Sequence, residues 1–448
     1  VFADARDRDN VFEEAKTLNI TSRIAELKPQ LIATRRDLHH YAESGWTEFR
    51  TASRIVERLT ALGYEVHYGP EVLAPEHMAG LPSSAELDRH LERAVAQGAN
   101  PEIARKMAGG FTGVVGILRC GEGPTIGMRF DMDALDITET TDENHRPCRE
   151  GFASGNPGAM HACGHDAHVS IGLGVAQVLS ELRDQLKGTV KLIFQPAEEG
   201  VRGARAMVEA GVVDDVDYLL GAHIGFAARE TGLIITGGSG FLATSKLDAT
   251  FTGVPSHAGA APEQGRNALL AAASAALNLH AIPRHSAGAS RINVGVLQAG
   301  SGRNVTPANA ILKLETRGAT SEIDAYMRAN AERVIRAAAE MWDVKVELRP
   351  MGSAAGGTSD PELAEIVSQA ASETPAVTRV VPTGDLGGSE DYAWMMERVQ
   401  SRGGKATYMM IGTKISAPHH DSRFDIDEDA LPIGVEVMIR AVLKLAGR

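Results

Sequence analysis

Cysteine is scarce in this sequence. Only Cys120, Cys148 and Cys163 occur among 448 residues. An odd, irregularly spaced set of this kind excludes a disulfide framework and suits a reducing compartment, here expected to be the cytoplasm. There is no unbroken apolar run of about 18 residues, so no membrane-spanning helix is expected. The opening Val1-Phe-Ala-Asp-Ala-Arg-Asp has no basic stretch leading into an apolar one, as a secretory leader would. Positive charge is also in deficit. Lys and Arg number 45 against 58 Asp and Glu, a formal net charge of −13, and no basic run stands out. That excludes bulk electrostatic capture of nucleic acid or an anionic membrane, while local cations could still hold a carboxylate substrate. Aromatic residues make up 5%, so the core must rely on Ala, Val, Leu and Ile. No internal repeat or low-complexity tract is visible.

What is present is an ordinary globular composition, 43% hydrophobic and 23% charged, in a chain long enough for two domains or one large domain with an insertion. From Asn19 to Leu62, apolar residues such as Leu31, Leu38, Ile55 and Leu59 recur near helical spacing, and Gly63 ends the pattern. Residues 72–110 are polar and punctuated by Pro75, Pro82 and Pro101, an excursion with one short helix over Ser84–Gln97. The texture then changes. Short apolar runs at Val114–Leu118, Ile126–Phe130, Val190–Phe194 and Tyr218–Ala222 read as strands, with helices over Ala167–Leu186 and Ala204–Ala210. This alternation predicts an α/β domain on a mostly parallel sheet. Near Phe241 a second unit begins: strand Lys246–Thr252, helix Asn267–His280, strands Arg291–Ala299 and Ile311–Arg317, helix Ser321–Met341, strand Val344–Arg349. That β-α-β-β-α-β order is the ferredoxin-like arrangement. The first texture returns with a strand at Tyr408–Gly412 and a closing helix at Pro432–Leu445. The expected architecture is a larger α/β domain, residues 1–240 and 353–448, interrupted by an α+β ferredoxin-like unit, residues 241–352.

The densest chemistry is Met160-His161-Ala162-Cys163-Gly164-His165-Asp166-Ala167-His168. Thiolate and imidazole are good ligands for zinc and other first-row ions. The spacing matches no zinc finger, and a polar loop with a structural cysteine would read the same way. Gln195-Pro196-Ala197-Glu198-Glu199-Gly200 sets two adjacent carboxylates just past an apolar strand. One could bind metal while the other moves protons; a solvated pair at a helix start is the alternative. Other strand ends tip the balance. Asp131 and Asp133 follow Ile126–Phe130, His223 follows Tyr218–Ala222, and His419 and His420 follow Tyr408–Gly412 by a short loop. On one parallel sheet those ends share an edge, where sites collect. Cys163, His165, Glu199, His223 and one late histidine would converge there, and five such ligands suit two ions better than the four-ligand closure of a structural zinc. His161 and His168 are expected to pack beside the site without binding metal, and Cys120 and Cys148 to be structural.

Together with Met128–Asp136, His145-Arg146-Pro147 and Gly387-Gly388-Ser389-Glu390-Asp391-Tyr392, these motifs resemble the aminoacylase-carboxypeptidase group of dinuclear metallopeptidases, the M20 family, in its branch with a cysteine ligand. The resemblance runs from about Arg35 to the C-terminus. It implies a dinuclear-metal catalytic domain carrying an inserted lid and dimerisation domain. Two divalent ions, Mn2+ or Zn2+, would be held by a bridging Cys163 with His165, Glu199, His223 and His420. His420 is preferred to His419 because the family pattern places this histidine four positions before an aromatic residue, here Phe424. Glu198 would be the general base that takes a proton from water and returns it to the leaving amine, and Asp131 would orient the site. His257, in Ser256-His257-Ala258-Gly259, would reach a second subunit's site and donate to the oxyanion. Arg317, Asn267 and Asn304 would hold the substrate carboxylates, although Asn267 departs from the acidic residue often found nearby in this branch. The implied reaction is hydrolysis of the amide bond of an N-acyl amino acid, with p-aminobenzoyl-glutamate as leading substrate. Other aroyl- or indolyl-amino acid conjugates, and a catalytically silent partner subunit, are the rival readings. The implied assembly is a homodimer, or a heteromer with a homologous subunit.

Overall fold

Four apolar runs make the centre of the larger sheet in the computed structural model, which describes residues 19–447. The Val1–Asp7 stretch read above lies outside the described residues. Thr189–Gln195, Thr125–Asp131, Tyr218–Ile224 and Lys405–Ile411 lie side by side in that order, all parallel. Each is buried at nearly every position. Strands covered on both faces need apolar residues throughout, so they read as continuous runs and not as alternating ones. Antiparallel Val114–Arg119 and Glu65–Tyr68 extend the sheet on one side. On the other, Leu233–Ile235 pairs antiparallel with Lys405–Ile411 and parallel with Arg379–Val381, giving eight strands in all.

Helices Ile20–His40, His165–Glu181 and Ala430–Ala446 pack on one another. His165–Glu181 also touches the sheet and is buried almost all round, as a helix caught between two layers has to be. The helix expected to run through Asn19–Leu62 is in fact two, Ile20–His40 and Phe49–Ala61. Apolar spacing continues across the break and hides it. The cause is local: buried Trp46 takes φ of 70°, and the Glu43 carboxylate accepts the N–H groups of Arg50 at 3.0 Å and Thr51 at 2.8 Å. Those are first-turn donors that no intrahelical carbonyl can satisfy. The excursion holds Ser84–Ala96, started by a Ser83/Glu86 capping box, and a second short helix, Pro101–Lys106. Helices Pro361–Ser372 and Tyr392–Ser401 were not foreseen.

Residues 243–354 build a separate antiparallel sheet in the order Lys345–Ala354, Ala243–Thr252, Asn309–Gly318, Ser290–Ala299. Ala268–His280 and Ser321–Met341 pack on it around Leu247, Phe251, Leu312, Met327 and Ile335. Side chains alternate along a strand, so Lys246, Glu315 and Arg317 share the opposite face; Lys246 stands directly across the ladder from Glu315. Ser290–Ala299 is the edge strand and leaves Val296 and Leu297 exposed.

Candidate metal centre

The carboxyl ends of the central parallel strands deliver most of the site. Asp131 ends one strand, Glu198 and Glu199 follow the end of a second, and His223 is the penultimate residue of a third. Cys163 and His165 come from the start of helix His165–Glu181. Gly164 between them has φ of 91°, and a Cβ there would lie 2.6 Å from Ile224 Cγ2. Only glycine lets this turn close onto the strand. The turn after Gln195 is strained and pinned. Ala197 and Val201 have φ of 50° and 59°, conformations that cost roughly 1–3 kcal/mol each. Glu48 accepts the Ala197 N–H at 2.8 Å, and the Asp133 carboxylate accepts those of Glu198 and Glu199, each at 3.0 Å. These charge-assisted bonds hold both glutamates in place.

Five groups of ligand-type atoms result among the described residues, and two of them share Cys163. Those of Cys163, His165 and His223 lie within 4.8 Å of one another, as do those of Cys163, Glu199 and His420. Cys163 belongs to both. Its Sγ is 3.4 Å from His223 Nε2, while His420 Nε2 is 3.6 Å from Glu199 Oε1 and His165 Nε2 is 4.0 Å from Glu198 Oε2. Backbone carbonyls set the imidazole tautomers. His165 Nδ1 donates to Asp133 O and His223 Nδ1 to Ile224 O, both at 2.8 Å. Each Nε2 lone pair is therefore free to face the cluster, the arrangement typical of metal-binding histidines.

The residues fit a cation. His165 Nε2 and Glu199 Oε1 are buried with no hydrogen-bond partner among the described residues, and a buried polar atom left so costs about 1–3 kcal/mol. Burial alone would lower His165, but Asp131, Asp133 and Glu199 push it up to about 10, a measure of how strongly the site draws positive charge. Burial, with Glu199 and Glu198 beside it, pushes the Cys163 thiol well up, so a thiolate here needs a cation. Burial also raises Glu199 to about 7, Asp133 and Asp131 adding to it against His165. Glu198 is held well above the ordinary carboxyl range by burial and by Glu390, Glu199 and Asp391.

Of the neighbouring histidines, His168 and His419 are committed elsewhere, while both ring nitrogens of His161 are buried without a hydrogen-bond partner among the described residues. His168 Nδ1 pairs with Asp131, and its Nε2 accepts the Ile224 N–H at 2.9 Å, so it offers no lone pair although it lies beside His165. His161 is buried and touches none of the ligand groups; burial pushes it down to about 3. His419 stacks on Phe226 and meets Ile224 O at 3.2 Å. His420 instead takes φ of 68° and donates its N–H to Ala162 O at 2.8 Å, which turns its ring to Glu199. Asp131 also receives Arg129 Nη1 at 2.5 Å, and Arg129 reaches Glu390 at 2.9 Å and Asp391 at 3.2 Å. This buried network uses the Glu390-Asp391 motif to brace the site. None of the three cysteines forms a disulfide, and Cys148 donates to Thr140 O.

In the inserted unit, His257 is exposed and accepts the N–H groups of Gly259 and Ala260 at Nδ1, leaving an N–H at Nε2. Asn304 accepts the Ala258 N–H at its carbonyl. The bonds of both run within the inserted unit. Asn267 caps helix Ala268–His280 through Leu270 N, and Arg317 forms an ion pair with Glu315 at 2.9 Å. Both therefore already have structural partners. Sequence reasoning overlooked Asp133 as the anchor of both glutamates, Glu48 beneath Ala197, and Lys246. Burial lowers Lys246, while Glu315, Glu198 and Glu199 oppose that effect. No sequence signal singles out Lys246, because Lys246–Thr252 alternates polar and apolar residues as any half-buried strand does.

The fold and this concentration of ligand-type side chains are those of an α/β metallohydrolase with an inserted α+β unit. Residues 127–444 match Peptidase family M20/M25/M40, and the chain belongs to that family. It is 52% identical over 422 residues to the indole-3-acetyl-aspartic acid hydrolase of Enterobacter agglomerans, covering 94% of this chain and 97% of the relative. It is 51% identical, over the same length and shares, to a p-aminobenzoyl-glutamate hydrolase subunit of Escherichia coli. Among solved structures it resembles an aminobenzoyl-glutamate utilization protein from Klebsiella pneumoniae, with a TM-score of 0.83, 44% identity and coverage of 95% and 98% of the two chains. It also resembles the Bacillus subtilis YXEP protein, a dinuclear metal binding peptidase from the M20 family, with a TM-score of 0.63, 25% identity and coverage of 94% and 99%.

Proposed function

We propose that this protein hydrolyses the amide bond between an aromatic acyl group and an acidic amino acid, p-aminobenzoyl-glutamate being the first substrate to test. The observation that carries the reading is the double set of ligand atoms around Cys163, with His165 Nε2 and Glu199 Oε1 buried and unpartnered. The two named hydrolases similar to this chain differ in acyl group, indole-3-acetyl against p-aminobenzoyl, yet the conjugate each is named for carries an acidic amino acid.

Cys163, His165, Glu199, His223 and His420 would hold two divalent ions, which when bound polarise the scissile carbonyl and acidify the attacking water. Glu198 takes the proton of that water and passes it to the departing amine nitrogen. Its backbone is fixed by Asp133, and its burial keeps it a strong base. Asp131, locked between His168 and Arg129, keeps negative charge 3.8 Å from His165 Nε2. Imidazole and carboxylate accept Mn2+ or Zn2+, and the thiolate favours zinc.

The inserted unit acts as lid and dimerisation domain. Val254, Val296, Leu297, Val305 and Ile311 are exposed on its strands and loops, apolar side chains that a second chain of the same fold would cover. That chain is a second copy or a homologous subunit, and His257, with Nε2–H turned outward, would serve its site. Arg317, Asn267 and Asn304 remain candidates for positioning substrate carboxylates. Size-exclusion chromatography with light scattering reads the assembly. No helix of the described residues is long and apolar enough to cross a membrane, and cysteines without disulfides suit a reducing compartment.

The test is release of p-aminobenzoate from p-aminobenzoyl-glutamate by purified protein reloaded with Mn2+ or Zn2+. Release establishes the reaction. Failure to cut any aroyl- or indolyl-amino acid, in protein holding two ions, would overturn the proposal.

A further inference from the structure

A cavity of about 450 Å³ lies where residues 76–81, the turn after Glu199 and the last strand of the inserted unit meet. Five cationic side chains line it, Arg202, Arg205, Lys246, Arg328 and Arg349, against one carboxylate, Glu76. In a chain of formal net charge −13 this local excess is unexpected, and like charges so gathered repel unless an anion joins them. Among the described residues only Arg328 has a carboxylate partner, Glu332 at 3.0 Å. Arg349 donates to Leu81 O at 2.8 Å and Arg202 to Glu199 O at 2.7 Å, both neutral acceptors. Arg205 lies over the Trp394 ring at 4.8 Å, which fixes its plane, and its buried Nε has no partner. Lys246 is half-buried and has no hydrogen bond or ion pair among the described residues.

The cavity adjoins the candidate centre. Arg202 is bonded to the backbone of Glu199, and Lys246 stands in the field of Glu198 and Glu199. Its volume suits a small organic anion. Guanidinium forks match carboxylates, and the unpaired set offers more than one. Arg317, by contrast, has its fork on Glu315. The geometry points to a specificity subsite in which Arg205 and Lys246, backed by Arg202 and Arg349, bind the side-chain carboxylate of the acidic amino acid and select it over neutral amino acids. This inference rests on the amidohydrolase reading above for its substrate.

The test compares glutamate with glutamine, which differ only in that carboxylate. Calorimetric titration of each into metal-loaded protein gives a binding preference independent of turnover. Wild type is expected to bind glutamate at least about tenfold more tightly, as one charge-assisted contact provides. Arg205→Gln and Lys246→Met should each lose most of that preference, and Lys246→Arg should keep it, with circular dichroism confirming the fold. The kcat/KM ratio for p-aminobenzoyl-glutamate over p-aminobenzoyl-glutamine should fall in parallel. An equal affinity for glutamate and glutamine in wild type, or an undiminished preference in both loss variants, would overturn the subsite. A pocket-dependent preference for glutamate in a protein that cuts neither conjugate would support the subsite and remove the hydrolase reading instead.

Discussion

Replacing Glu198 by Gln keeps the shape of the side chain and removes its ability to accept a proton. The backbone bond to Asp133 at 3.0 Å is untouched, and both ligand groups centred on Cys163 are complete without Glu198. Metal content should therefore stay near wild type. A positioned general base contributes about 10²–10⁴ in rate, or roughly 3–5 kcal/mol at about 1.36 kcal/mol per decade. Burial and the charges of Glu390, Glu199 and Asp391 hold this carboxyl well above the ordinary range. The lost interaction belongs to the transition state, so kcat should fall about a thousandfold with little change in KM. The assay is initial-rate release of p-aminobenzoate, with metal per chain measured on the same samples. A variant that holds two ions and keeps more than about a tenth of wild-type kcat would refute the proton-transfer role.

Cys163→Ala should lose metal, because its sulfur joins the group of His165 and His223 to that of Glu199 and His420; two ions still bound by mass spectrometry would exclude a bridging role. His420→Ala should weaken metal binding at least about tenfold, whereas His419→Ala should act mainly through its lost stack on Phe226; the reverse order in metal titrations would exchange their roles. Chelation should lower the thermal midpoint by leaving His165 Nε2 and Glu199 Oε1 unpartnered, and added Mn2+ or Zn2+ should restore it. Arg35→Met should destabilise the fold by about 3–5 kcal/mol near neutral pH, since buried Arg35 meets Asp166 at 2.7 Å, Asp425 at 2.9 Å and Glu428 at 3.4 Å. Burial raises Asp425, but Arg35 and Arg146 outweigh it and hold the carboxyl low. A depressed carboxyl contributes stability above the unfolded value, about pH 4, that is lost as pH falls through the folded value. The difference between wild type and variant should narrow below about pH 4, and denaturation curves showing a constant gap would contradict this account.

Much of the site was legible because ligand types followed strand-like runs. Burial on both faces makes a central parallel strand an apolar word of a few residues, and Asp131, Glu199 and His223 stand at the ends of such words. The ferredoxin-like order of the inserted unit was legible for a similar reason, since helix and strand periods differ and each element is local. The break after His40 was not, because its cause is a carboxylate reaching the N–H groups of Arg50 and Thr51. Such a glutamate looks the same in sequence as a solvated one.

The sequence by itself therefore determined the layer architecture and which side chains could gather at one sheet edge. Tertiary structure alone decided how those side chains are used. It turned His420 and not His419 toward Glu199, spent His168 on Asp131 and Ile224, and tied Glu198 and Glu199 to Asp133. It also collected Arg202, Arg205, Lys246, Arg328 and Arg349 around one cavity. Hydrophobic periodicity is a property of neighbours along the chain. The partner of a charge or a lone pair is set by packing between residues hundreds of positions apart, where burial determines whether water can replace it.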